Sequence, residues 1–413
     1  MCKMSVNIYD YLKVPKDTVY NFKKDCIGNF YCGFYNGFYV PFIAIIGRKY
    51  FNCTPFQLSL LISVTFLSGF ISMLVASWVP VNKENRYMAG MGIVGAMFII
   101  CISPWVKSSV IYTAMAMSYS LCASFAPLFN VIVQRIYRDE IRARLLGYSN
   151  SLKALLSLVC SVIANIIIEK QFYGIDVWRI LYIIAGLSVI CNMYFCFWKL
   201  KMPKVESDRI NSIEFLKDSF CLLKNDKLNT CLIISGVFYT CAYTLTNTLA
   251  PIFQNDILKI GPGKIAVLIF IQNLFCFIGY PLIGHYMQKY GAVKAWIITI
   301  FMGIIMAFGY GTCPVHFWQY LYFYYIFFGL FMAANDICWI NLLLYIANGK
   351  KVTEYQTLHN FFMAVRGIIG IGVSAFIINE ADKYLINYKY VFYISVLFLI
   401  ISYVIVKIIF KDK

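Results

Sequence analysis

Residues Pro281 to Trp296 read PLIGHYMQKYGAVKAW and separate two long apolar runs that carry almost no charge. Gly284 and Gly291 stand seven residues apart in this stretch, and Lys289 and Lys294 straddle the second glycine. Glycine permits a tight turn or a close approach of two backbones, and lysines beside an apolar helix hold a turn in water at a membrane surface. The stretch therefore reads as a short basic turn between two membrane-spanning helices.

Outward from that turn the whole chain has the same character. Of its 413 residues, 61% are hydrophobic and 13% charged, outside the range of soluble proteins, so the chain reads as an integral membrane protein. The formal net charge is +17. In a soluble chain that excess would point to nucleic acid; here the cations fall in the turns, and no nucleic-acid partner is expected. The fifteen cysteines are scattered as single residues, without a CxxC pair or a Cys/His cluster, which is the pattern of small buried hydrophobes. With only His285, His316 and His359 to offer imidazole, no metal site is expected, and no cofactor. No GxxxxGK[ST] loop appears, so nucleotide-driven transport is not supported. Residues 1–25 are polar and basic without a signal-peptide apolar core, and are expected to stay in the cytoplasm.

A span of the hydrocarbon core takes about 20 apolar residues, and such segments fall at 26–47, 55–78, 86–104, 108–134, 144–169, 177–199, 230–253, 264–287, 291–311, 316–347, 354–379 and 386–409. The expected fold is thus all-α, with about twelve transmembrane helices. With the amino terminus inside, about 25 cations lie on the cytoplasmic side against about 9 outside, as the positive-inside rule requires. Both termini are then cytoplasmic, and a bacterial inner membrane is the expected location. The longest connection, 200–229, divides a bundle at 26–199 from a second at 230–409, followed by a tail at 410–413. Within it INSIEFLKDSFCLL puts Ile213, Leu216, Phe220 and Leu223 on one face of an amphipathic helix expected to lie along the membrane surface.

The two bundles look like repeats. A shift of about 211 residues brings Glu380 onto Glu169 and Asn341 onto Asn130, and about 210 brings Pro251 onto Pro41, which suggests parallel halves related by an axis along the membrane normal. At this point the sequence resembles the major facilitator superfamily. Gly284, Gln288, Lys289, Tyr290, Gly291 and Lys294 fall on that family's loop G-x-x-x-D-R-x-G-R-K, between helices eight and nine. Gln288 replaces the family's acid. The first-half counterpart, SWVPVNKENRYMAG, is more degenerate, with Val81 where the acid is expected and Lys83 and Arg86 keeping the basic character. QRIYRDEIRARLLGYSNSL looks like the family's turn between helices four and five. The resemblance covers nearly the whole chain and implies two six-helix halves rocking about a midplane site.

Ionisable groups at membrane depth are costly and face a cavity or one another. Asp336 in MAANDICWIN and Arg366 in MAVRGIIG each lie ~17 Å above the cytoplasmic end of their helices, by the 1.5 Å helical rise, and can pair. One reading is a structural salt bridge; the other is that Asp336 accepts a coupled proton or Arg366 holds an anionic part of a substrate. His359, two turns from Arg366 on the same face, extends a proton path or makes an interhelical hydrogen bond. Lys153 snorkels to the surface or joins a site.

In the family that the chain resembles, the first and fourth helices of each half line the cavity. That places Tyr35, Asn36 and Tyr39 of NFYCGFYNGFYVP, Asn130, Tyr243, Asn247, Asn335 and Trp339 among the candidate substrate contacts, with Gln272 and Asn273 of helix eight. Tyrosines, a tryptophan and neutral amides suit a small solute with a flat apolar surface and hydrogen-bonding groups. The expected function is secondary transport, with protons as a coupling ion or none, by a monomer in contact with membrane lipids. Export of amphiphilic organic compounds is favoured by the aromatic content; uptake of a sugar or nucleoside is favoured by the amides. A non-transporting receptor or a lipid-metabolising enzyme on the same scaffold finds no nucleophile and base placed together.

Overall fold

The computed structural model describes residue 9 and residues 12–410, other than 54–56, 58–60, 62–68, 71, 73–77, 81, 123–125, 171–177, 205–211, 261, 349–350 and 384–386. Within this range the chain is helical, with α1 (Val19–Phe38), α2 (Ile43–Phe51), α3 (Glu84–Trp105), α4 (Ser109–Cys122), α5 (Ala126–Ile136), α6 (Asp139–Lys170) and α7 (Trp178–Phe195) in the first half. A connecting helix α8 (Ser212–Asn225) precedes α9 (Lys227–Ile252), α10 (Pro262–Tyr290), α11 (Ala292–Thr312), α12 (Leu321–Ala347), α13 (Val352–Lys383) and α14 (Tyr388–Ile409). Nine of the described helices are long and apolar enough to cross a membrane. The predicted span at 55–78 lies largely outside the described residues, as do Val81, residues 411–413 and the side chains of Glu169, Ile213 and Leu216.

The turns follow local chemistry. Asp226 caps α9 by accepting the Asn229 N–H, and Asn387 caps α14 by accepting the Lys389 N–H. Gly291, with φ +88°, makes the turn between α10 and α11 in a conformation that a Cβ would strain. The predicted first helix begins earlier, at Val19, and divides into α1 and α2 around Pro41, which has no N–H to continue the ladder.

Each half packs on itself, α1 against α6 and α7 and α3 against α7 in the first, α9 against α13 and α14 and α10 and α11 against α12 in the second. The first-half core is aromatic: Tyr39, Tyr112, Trp178 and Tyr182 are all but fully buried, and Tyr112 Oη bonds the Ile43 carbonyl at 2.6 Å and Tyr182 Oη at 3.0 Å. The predicted surface helix α8 docks on the second half, against α9 and α13, with Lys351 Nζ 2.7 Å from Asp218 and Tyr355 Oη donating to Asp226 at 2.6 Å.

The halves meet along two seams. Gly69 and Phe70 lie against α13, with the Phe70 and Phe361 rings 5.3 Å apart. On the other seam α6 crosses α10 so closely that a Cβ on Gly284 would fall 2.7 Å from the Ala143 carbonyl oxygen, and one on Gly147 2.6 Å from that of Tyr280. Without a hydrophobic drive between helices in lipid, such close backbone packing is what holds them. Pro281, inside α10, has no N–H for the Phe277 carbonyl four residues back. Ser151 Oγ of α6 donates to that carbonyl instead, at 2.8 Å, and Tyr148 Oη bonds His285 Nε2 at 3.0 Å one turn further on.

Candidate functional site

The second half gathers most of the candidate residues. Tyr239 Oη donates to Asn335 Oδ1 at 2.7 Å, and Tyr280 Oη donates to Asp336 Oδ2 at 2.5 Å. One turn along α12, Trp339 stands between Trp296 and His359, with ring centroids 5.2 and 5.4 Å away. The Arg366 guanidinium covers the Trp339 ring at 4.6 Å. His359 is fully buried, and its Nε2–H donates to Asn229 Oδ1 at 2.6 Å, since that oxygen can only accept. His359 and Arg366 share one face of α13, as their spacing predicts, and both reach the same indole.

The expected pairing of Asp336 with Arg366 is not found. Asp336 turns to Tyr280 on α10, whereas Arg366 stacks on Trp339, and no ion pair joins them. The reason is that α12 presents Asp336 toward α10 and Trp339 toward α13. Arg366 is 5% exposed, and its Nε and Nη1 have no hydrogen-bond partner among the described residues. A buried guanidinium with Nε and Nη1 unpaired over a π-face is under-compensated, because a cation–π contact is worth ~2 kcal/mol and its desolvation costs more.

The remaining second-half candidates lie nearby with weaker engagement. Tyr243 Oη approaches Met332 Sδ at 3.9 Å, Asn247 Nδ2 bonds its own helix at the Tyr243 carbonyl, and Gln272 and Asn273 are half-buried on α10. In the first half Tyr35 stacks on Tyr39 and tilts against Tyr119, while Asn36 Nδ2 turns to Cys32 Sγ on its own helix, 3.8 Å away. Tyr39 and Asn130 are buried within the first half.

Two first-half groups, Asp25 and Tyr137, were not among the candidates. Asp25, 5% exposed on α1, accepts hydrogen bonds from Tyr137 Oη at 2.9 Å and Asn29 Nδ2 at 3.0 Å. It sits inside α1 because that helix starts at Val19; a predicted boundary at residue 26 left it outside by one residue. Lys153 of α6 lies near Asp25 and 5.7 Å over the ring of Tyr280. Tyr137, Asp25, Lys153, Tyr280 and Asp336 thus form a polar string running from the first half into the second, at the level where α6 and α10 touch.

The basic end of the bundle is tied by ion pairs. Arg135 grips Glu84 end-on, Nη2 to Oε1 at 2.8 Å and Nη1 to Oε2 at 3.3 Å. Glu84 stands three residues after Val81, the position where the family's loop pattern expects an acid. Arg142 pairs with Asp139, and Arg144 Nη2 donates to the Lys13 carbonyl at 2.9 Å. Arg138 pairs with Asp17 on the segment before α1. Desolvation opposes the ionisation of Asp17, but the hydrogen bond and charge of Arg138 together outweigh it and hold the carboxyl below its usual range. In the loop that opened the reading, Gly284 serves the helix crossing and Gly291 the turn, while Gln288, Lys289 and Lys294 stand exposed. Among the described residues, no cluster of His, Cys, Asp and Glu has the grouping to hold a metal ion.

The profile of the Major Facilitator Superfamily matches the chain over residues 26–314 and 232–413. No curated protein matches it by sequence. Solved structures with the same fold include the E. coli fucose:proton symporter FucP, at TM-score 0.68 and 13% identity, covering 95% of this chain and 99% of that one. A bacterial homologue of the iron transporter ferroportin in an outward-facing state aligns at TM-score 0.66 and 12% identity, over 96% and 100%. The human organic anion transporter MFSD10 aligns at TM-score 0.70 and 10% identity, over 95% and 100%.

Proposed function

The chain belongs to the Major Facilitator Superfamily, and from that membership we propose that it is a secondary transporter of a small amphiphilic organic solute that carries an anionic group. The observation that carries this reading is the Arg366–Trp339 platform, a buried cation without a counter-charge laid on an indole face. A carboxylate or sulfonate would supply the two missing acceptors, and the aromatic neighbours Tyr239, Tyr243 and Trp296 would take the flat apolar part. Among the amides that favour a sugar or nucleoside, Asn36 and Asn247 each direct one N–H to their own helix, which leaves fewer donors for a neutral polar solute.

Asp336 is proposed as the proton-accepting group, with Tyr280 Oη as its hydrogen-bond donor and Lys153 of the opposite half over the Tyr280 ring. Alternating access would break the seam between α6 and α10 and re-form it in each cycle. The basic end and both termini are proposed to be cytoplasmic, the membrane a bacterial inner membrane, and the direction of transport export.

The test is a thermal-shift screen of the purified protein against carboxylated and sulfonated aromatics beside sugars and nucleosides, because a ligand of the folded state raises its melting temperature by mass action. Aromatic anions are expected to raise it in the wild type and not in Arg366→Met. Shifts from neutral sugars alone, or anion shifts that survive Arg366→Met, would sink the reading.

A further inference from the structure

On the outer side of α1, away from Asp25, lies a cavity of about 550 Å³ lined by Tyr9, Lys23, Cys26, Phe30, Tyr31 and Phe195, with Leu152 of α6 at its side. Its walls are aliphatic and aromatic, its single charge is Lys23, and it lies beside the half of α1 that carries Lys23 and Lys24.

The rim beside it is strongly basic. Lys24 and Lys201 lie over the Tyr20 ring at 5.8 and 4.5 Å, and Lys199 lies over Tyr194 and Phe195 at 4.6 and 5.3 Å. The segment carrying these lysines is fixed on α1: Tyr20 Oη donates to the Lys199 carbonyl at 3.1 Å, and Asn21 exchanges hydrogen bonds with the backbone of Lys201 at 3.0 and 3.1 Å. Among the described residues no carboxylate pairs with Lys23, Lys24, Lys199 or Lys201. Tyr20, Phe30, Tyr194 and Trp198 are each more than a third exposed, as suits aromatic side chains at the height of lipid headgroups.

We infer that this recess is a seat for one anionic phospholipid of the adjacent leaflet. One acyl chain lies between Phe30, Tyr31, Leu152 and Phe195, and the phosphate is held by Lys23 with the lysines of the α7 end around it. Charge complementarity selects the lipid, since unpaired lysines at this level draw anionic headgroups over zwitterionic ones. The recess also touches the transport machinery. Its lining residue Tyr9 belongs to the segment whose Lys13 carbonyl is held by Arg144 and whose Asp17 pairs with Arg138, on the turn between α5 and α6. Seating a lipid against Tyr9 therefore braces the basic end of the first half.

The full-length protein in nanodiscs, irradiated with an acyl-chain diazirine phosphatidylglycerol or its phosphatidylcholine counterpart, tests this by locating the labelled peptides. The phosphatidylglycerol probe is expected to label the peptides of Phe30, Tyr31 and Phe195 at least about fivefold more than the phosphatidylcholine probe. Lys23→Gln with Lys199→Gln removes that preference; both side chains are solvent-facing, so the fold is kept. Cys26→Phe fills the recess without changing a charge and is expected to abolish the label there. Equal labelling by the two probes overturns the selectivity. Labelling unchanged by Cys26→Phe overturns the seat and leaves only diffuse attraction to the lysines.

Discussion

In the first half Glu84 meets Arg135 through two contacts, and Asp25 takes hydrogen bonds from Tyr137 and Asn29. In the second half Arg366 is as deeply buried as Asp25, yet it has the face of Trp339 and no acceptor for Nε or Nη1. The repeat is therefore asymmetric in chemistry. The first half gives each of its buried charges at least one hydrogen-bond partner, although Arg142 Nε and Arg144 Nε stay unpaired among the described residues, and uses those charges to tie helix ends together. The second leaves one cation unsatisfied at mid-depth, a cost of several kcal/mol that no packing contact offsets, and that is the arrangement a bound anion completes.

The largest effect should come from removing that cation. Arg366→Met is expected to lower anion binding at least about 100-fold while leaving the empty protein's melting temperature unchanged or higher, because an uncompensated buried charge is replaced by an apolar chain of similar length. A marked drop in melting temperature would instead make Arg366 a structural residue and erase the asymmetry. Next comes Asp336→Asn, which keeps a hydrogen-bond partner for Tyr280 but cannot ionise. In proteoliposomes it is expected to equilibrate the solute and to lose accumulation driven by a pH gradient; accumulation equal to wild type would remove the proton role.

The comparison is sharpened from the other side by Glu84→Gln. Here the expected effect is on stability, a loss of about 2 kcal/mol as Arg135 keeps its charge without a carboxylate, with solute affinity unchanged. Chemical denaturation in detergent measures the first and the thermal-shift titration the second. The smallest effect belongs to Asp17→Asn, which breaks an exposed pair. Arg138 holds the Asp17 carboxyl below its usual range, so the pair contributes above the unfolded pKa and is lost as pH falls through the lowered one. Wild type and Asp17→Asn should thus differ slightly at neutral pH, converge in acid, and converge again in high salt.

Much of this arrangement is legible in the residues themselves. Apolar length and the charge of the turns define the spans, and Gly284 and Gly291 announce the crossing and the turn that the structure contains. The pair Asp336 and Arg366 stand out because each is an ionisable group at a depth where lipid tolerates none. Their separation is not legible, since it depends on which neighbour each face of α12 meets, and a linear spacing fixes depth but not azimuth. Asp25 was hidden for a related reason: α1 begins two turns earlier, in polar residues that packing against α5 and α6 buries, so hydropathy alone starts the span too late. Glu84 escaped because the ion pair with Arg135 forms three residues beyond the position where the loop pattern places its acid.

The hydrogen bond from Ser151 to the carbonyl that Pro281 leaves without a partner has a kinetic meaning. It exists only while α6 and α10 are together at the basic end, so a carrier that opens there exposes an unpaired carbonyl until water reaches it. A net bond of about 1 kcal/mol shifts a two-state ratio about fivefold. The hydroxyl of Ser151 then acts as a timer, setting the fraction of each cycle spent closed on that side. Ser151→Ala should shorten that dwell with the solute site untouched, faster turnover at unaltered affinity being the signature if opening limits the cycle. A proline that weakens one helix would in this way regulate the timing of two.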